Sequence, residues 1–163
     1  AVRAILGQQV SVAAARTLAA RIADRYGTRF DEGTPVGLHA LFPSADALVE
    51  APLETIGIMR TRADAIRTLA RAVVDGRVHF RPEQTLAAFE ESMVALPGIG
   101  PWTAHYVAMR ALGQPDAFPA ADLILRRAVG GGEMLSTRAT ETASEAWRPW
   151  RAYAVMLLWR SQS

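Results

Sequence analysis

Apolar residues recur at steps of three and four from one end of this chain to the other, and no segment sustains the alternation of a β-strand. Val12, Ala15, Leu18, Ala19 and Ile22 mark one helical face, and Ala63, Ile66, Leu69, Ala70 and Val73 mark another. Such a period buries a stripe on each segment and is satisfied by packing helix on helix. Ala, the best helix former, fills nearly a fifth of the positions. The breaks fall where capping residues stand. Ser11 and Gly27 bound a helix over about 11–26, Ser44 opens a short one to about 51, Pro52 opens a turn ending near Gly57, and Gly76 closes a helix over 60–75. Further helices are expected over 85–95, 102–111, 121–129, 136–147 and 150–160, and 28–40 reads as a mobile loop. The predicted class is all-α, a helical bundle of two lobes with neither a solenoid repeat nor a low-complexity segment.

Composition prunes the chemistry. The 163 residues suffice for one domain or two small helical lobes. Zero Cys excludes disulfides, Cys-ligated zinc, iron–sulfur clusters and thiol nucleophiles. All 18 basic residues are Arg, so Schiff-base chemistry lacks a side-chain amine. The net charge is only +2, yet the pI is about 9.7, and guanidiniums match phosphate in geometry, which makes nucleic acid a candidate partner. No apolar run approaches the roughly 18 residues of a membrane span, and the first residues lack a signal peptide's charged region and cleavage site. A cytoplasmic protein is expected. Val2, Ile5 and Leu6 read as the tail of an amphipathic helix cut short, so a piece of a longer protein is expected too. His39, His79 and His105 lack metal-ligand spacing and receive no chemistry.

The strongest local signal is Leu96-Pro97-Gly98-Ile99-Gly100 followed by Pro101-Trp102-Thr103-Ala104. Two Gly around one apolar residue permit a tight turn between helices, with Ile99 as a plug. The N–H groups opening the next helix then make an anion site that fits a DNA phosphate. A plain αα-hairpin turn explains Gly-x-Gly equally well. The longer string, LPGIGPWTA with FPAADLIL downstream, resembles the helix-hairpin-helix (HhH-GPD) superfamily of DNA base-excision glycosylases. With AVRAILGQQVSVAAA, GIMRTRADAI and WRPWRAYAVMLLW it resembles the AlkA-like 3-methyladenine DNA glycosylase II branch across essentially all of residues 1–163. The hairpin motif falls at about 85–111 and the Gly/Pro-Asp loop at 113–122.

That resemblance implies a monofunctional glycosylase hydrolysing the N-glycosidic bond of alkylated purines, 3-methyladenine or 7-methylguanine, in duplex DNA. Asp122 matches the catalytic aspartate, which would stabilise the oxocarbenium character of the sugar and orient water. Ala121 stands where relatives often carry a second acid. On position alone, Asp122 reads equally well as a helix N-cap, and both roles can coexist. Bifunctional members place a Lys where this chain has Trp102. Trp102, Tyr106 and Trp159 match an aromatic base pocket, and the four-residue step puts the first two on one helix face, where rings attract a cationic base. Core packing is the competing reading, favoured for Trp147 and Trp150. Gln9 matches the wedge that fills the gap left by a flipped nucleotide, a position often apolar in relatives. Pro97, Gly98, Ile99, Gly100 and Thr103 match the DNA-gripping hairpin.

Main-chain carbonyls of Val94, Leu96 and Ile99 would hold a structural K⁺ or Na⁺, with no zinc or iron–sulfur cluster required. Arg60, Arg62, Arg148 and Arg151 are candidate phosphate contacts. Full-length relatives carry a preceding mixed domain, and some are fused to Ada-like regulatory regions; the implied state is a bacterial, DNA-associated monomer. A non-catalytic helix-hairpin-helix module is the alternative, and it needs neither the aromatic set nor Asp122. A glycosylase for oxidised purines or mismatches would favour a Lys at position 102 or Cys clusters, and the chain has neither.

Overall fold

The computed structural model describes residues 1–30 and 39–161. The described residues form nine α-helices and two short 3-10 turns, with one isolated antiparallel bridge between Arg29 and Ala40. The chain divides into two compact units, Ala1–His79 with Leu96–Gly98, and Phe80–Ala95 with Ile99–Ser163.

The first unit holds α1 (Val2–Leu6), α2 (Val12–Tyr26), α3 (Ala45–Leu48), a 3-10 turn (Leu53–Ile56) and α4 (Arg60–Val74). Ser11 and Ser44 cap α2 and α3 through their hydroxyls, which accept from Ala14 N and Ala47 N. The short helix ends at Leu48 rather than near 51, because Pro52 disfavours helical backbone in the residue before it. The spacing expected for α4 is observed: Ala63, Ile66, Leu69 and Ala70 are buried, and α4 packs against α1 and α3. Ile5, Leu6, Ile22, Leu53 and Ile66 fill the core. Of the segment expected to be mobile, residues 31–38 lie outside the described residues. Its flanks are joined by Phe30 N donating to His39 O at 3.1 Å and Leu41 N donating to Thr28 O at 2.8 Å.

The second unit holds α5 (Leu86–Val94), α6 (Pro101–Ala111), α7 (Leu123–Val129), α8 (Thr137–Ser144) running into a 3-10 turn (Glu145–Trp147), and α9 (Arg151–Ser161). The hairpin partners α5 and α6 pack on each other, and α7 packs on α8 and α9. Phe89, Met93, Ala104 and Val107 are buried, as are Phe118, Leu125 and Val155, with Trp147, Leu158 and Trp159 packed around the latter three. Trp147 therefore packs as expected, its ring edge-on to Phe118 at 6.1 Å. Trp150 does not. It is 58% exposed against an equally exposed Tyr153, because α9 buries the face carrying Arg151, Ala152 and Val155 and turns positions 150, 153 and 157 away. Among the described residues, no helix is long and apolar enough to cross a membrane.

Candidate active site

Asp122 ends the loop that follows α6 and begins α7. As the N-cap, its Oδ1 accepts from Ile124 N and Leu125 N, both at 3.0 Å. Two indoles reach the same carboxylate: Trp102 Nε1 donates to Oδ2 at 3.0 Å, and Trp159 Nε1 donates to Oδ1 at 3.2 Å. Four N–H groups therefore converge on one half-buried acid, and an ionised carboxylate has the lone pairs to accept them all. The cap and the polar site are one structure.

The rings attached to those indoles form a wall. Trp102 and Tyr106, one turn apart on α6, stack at 5.3 Å with planes 18° apart, and Tyr106 meets Trp159 of α9 at 6.0 Å. All three are half-buried. The Arg110 guanidinium lies 5.8 Å from the Trp159 ring centre, continuing the α6 face by one more turn. The structure thus brings together Asp122, Trp102, Tyr106 and Trp159, which lie up to 57 residues apart in sequence.

The hairpin turn follows its residue types. Gly98 has φ +84, a left-handed conformation that favours Gly, and a Cβ there would lie 2.9 Å from the Ala65 Cβ of α4. Gly100 is the N-cap of α6 with no side-chain cap, and Pro101 at N1 has no N–H to satisfy; the ladder begins with Ala104 N donating to Gly100 O at 3.1 Å. Pro97 and Gly98 are exposed, whereas Ile99 is buried. Thr103, expected at the DNA surface, is 2% exposed because its position on α6 faces the hairpin's interior, so its hydroxyl is no surface group.

Gln9 is exposed, in the turn between α1 and α2, with φ +56, a backbone conformation uncommon outside Gly. The turn is held at its neighbour Gln8. The Gln8 amide donates to Gly98 O at 3.2 Å, and Arg62 donates to Gln8 O at 2.7 Å.

The profile of the HhH-GPD superfamily of base excision DNA repair proteins matches residues 2–152. The chain belongs to that superfamily. Within it, the chain is 40% identical over 160 residues to a probable bifunctional transcriptional activator/DNA repair enzyme AlkA of Mycobacterium tuberculosis, covering 98% of this chain and 32% of that protein. It is 34% identical to DNA-3-methyladenine glycosylase 2 of Escherichia coli, covering 99% of this chain and 56% of the relative. Among solved structures, the 3-methyladenine DNA-glycosylase of Archaeoglobus fulgidus superposes with a TM-score of 0.78 at 30% identity, over 96% of this chain and 55% of that one. The chain thus spans about a third to a half of the length of these relatives.

Of the arginines considered as phosphate contacts, Arg60 is exposed, and the other three have partners within the fold. Arg151 is 3% exposed and donates Nε and a terminal nitrogen to the Asp116 carboxylate at 2.7 and 2.9 Å. Arg148 bonds to Asp116 and Glu145. Arg62 is committed to Gln8. Arg151 is the buried one of the three, and a buried charge needs its partner, so its guanidinium serves the fold rather than a surface phosphate. Sequence reasoning also passed over His105, whose ring accepts a backbone hydrogen bond from the Asp122 loop.

Proposed function

We propose that this chain carries the catalytic half of a monofunctional DNA glycosylase that hydrolyses the N-glycosidic bond of alkylated purines in duplex DNA. The observation that carries the reading is the Asp122 carboxylate held by two indole N–H groups whose rings form one wall with Tyr106. An N3- or N7-alkylated purine bears positive charge. The wall attracts it through the ring quadrupoles by about 0.5–2 kcal/mol per ring. The cation leaves as a neutral base, so no general acid is needed. Asp122, fixed in direction by four donors, faces the developing oxocarbenium without reorganising during the step and can orient the attacking water. With no Lys in the chain, no Schiff base forms on a side chain and the product is an abasic site.

The other assignments follow the same reading. Pro97, Gly98, Ile99 and Gly100 present backbone to a phosphate at the uncapped start of α6. Gln9, exposed on its turn, fills the gap in the stack and can hydrogen-bond the widowed base. Val94 ends α5, and Leu96 and Ile99 lie in the turn, so their carbonyls are outside a helix ladder and suit a monovalent cation. The protein works as a monomer on DNA in the bacterial cytoplasm.

The test is base release from methylated duplex DNA by the full-length protein and its Asp122→Asn variant, with nicking read before and after alkali. Free methylpurine, nicking only after alkali, and loss of release with retained DNA binding in the variant are expected. Retained release in Asp122→Asn, or DNA binding by the wild type without any release, would overturn the reading, the latter in favour of a binding module.

A further inference from the structure

We propose that His105 is a positioning residue: it fixes the loop carrying Asp122 to the helix carrying the aromatic wall. This role rests on the glycosylase reading above. The Phe118 N–H donates to His105 Nδ1 at 3.0 Å. Only a neutral imidazole with its proton on Nε2 has a lone pair at Nδ1 for that bond. The protonated nitrogen then faces Glu90 of α5, whose Oε2 lies 3.2 Å from Nε2. The ring side chain is 14% exposed, so Glu90 selects the tautomer in a largely buried place.

The pinned amide starts a short rigid path to the acid. The Phe118 side chain is buried against Leu125 and Val155, the next residue is Pro119, and the turns close with Ala120 N donating to Phe118 O at 2.9 Å and Asp122 N donating to Pro119 O at 2.8 Å. Only three residues therefore separate the pinned Phe118 from Asp122. His105 stands on α6 between Trp102 and Tyr106, so the helix grips the loop twice, at Asp122 through Trp102 and four positions earlier, at Phe118, through His105. Without the second grip, the loop can slide relative to the rings while Asp122 still caps α7. Displacements of about 1 Å in such a group cost about 100-fold in rate.

Three variants of the full-length protein separate positioning from general packing. In His105→Asn, the side-chain oxygen sits at the same branch as Nδ1 and can accept from Phe118 N–H; in His105→Gln it sits one bond further out; in His105→Leu there is no acceptor. Single-turnover base release is expected within about 3-fold of wild type for Asn, and 10- to 100-fold down, by about 1 Å of misplacement, for Gln and Leu, with DNA affinity within about 3-fold throughout. The indole N–H resonances of Trp102 and Trp159, assigned through Phe replacements, should move in Leu and Gln and stay in Asn. Wild-type rates in the Leu variant, or equal losses in all three, would overturn the positioning role and leave the glycosylase reading standing. A wild type that releases no methylpurine would overturn both.

Discussion

One carboxylate does two jobs at the start of α7, and the two can be separated because Asn is as good an N-cap as Asp. Asp122→Asn keeps the cap but turns its NH2 toward the Trp102 N–H, so it is expected to cost about 1–2 kcal/mol, while Asp122→Ala loses the cap as well and leaves two indole N–H groups without their acceptor, costing about 2–3 kcal/mol. Denaturant melts of the two variants check this. Trp102→Phe keeps a ring to stack on Tyr106 and removes only the N–H aimed at Oδ2. Base release should fall about tenfold, for about 1.4 kcal/mol of lost orientation. Measured beside Asp122→Asn, the double variant should be no worse than Asp122→Asn alone, since both substitutions act on one bond.

Elements differ in what their glycines do. Gly98 combines a left-handed backbone with a methyl-sized conflict against Ala65 of α4, so Gly98→Ala should cost about 1–3 kcal/mol through strain and overpacking. Gly100 has φ −101 and nothing within 4 Å of a built Cβ, so Gly100→Ala should cost only the difference between two N-caps, under about 1 kcal/mol. Thermal melts of the pair test the structural half of this statement. Salt-dependent DNA binding tests the functional half, because a loss of affinity in the stable Gly100→Ala variant points to close approach of the phosphate backbone. The helices themselves were legible at this scale. Ser11, Ser44, Thr85, Asp122 and Ser136 each stand one residue before an observed helix and accept from a backbone N–H of its first turn, a bond between near neighbours that composition alone can signal.

Over the whole molecule, each unit carries an ion-pair arrangement of a different kind. In the second unit Arg151 is buried on Asp116, so Asp116→Ala leaves a charge without its main partner and should cost about 3 kcal/mol or more, read as a drop in Tm. In the first unit the exposed Glu54 accepts both terminal nitrogens of Arg67, at 3.0 and 2.7 Å. That hydrogen bonding lowers the Glu54 carboxyl from 4.5 to about 2. A carboxyl lowered on folding stabilises the fold at pH values above its unfolded value, and the contribution disappears as pH falls through the folded value. Glu54→Gln should therefore lower Tm by the same amount at pH 7 and pH 5, and the gap should close between about pH 4.5 and pH 2. A gap that persists at pH 2 would show that the pair does not titrate this way.

By itself, the sequence determined the helical class, most helix boundaries, the turn at Gly98 and the shared face of Trp102 and Tyr106. All of these rest on contacts within one turn of helix or one tight turn, where residue type and spacing fix the geometry. Resemblance to a known family pointed to Asp122 and Trp159 without saying how they meet. Only the tertiary structure decided that two indoles share one carboxylate, that Arg151 is buried on Asp116, that Thr103 is inside and Trp150 outside, and that His105 pins Phe118. Those outcomes depend on the paths of loops joining distant helices. A hydrophobic period states that a helix has a buried side, but it does not state which polar groups that side will meet.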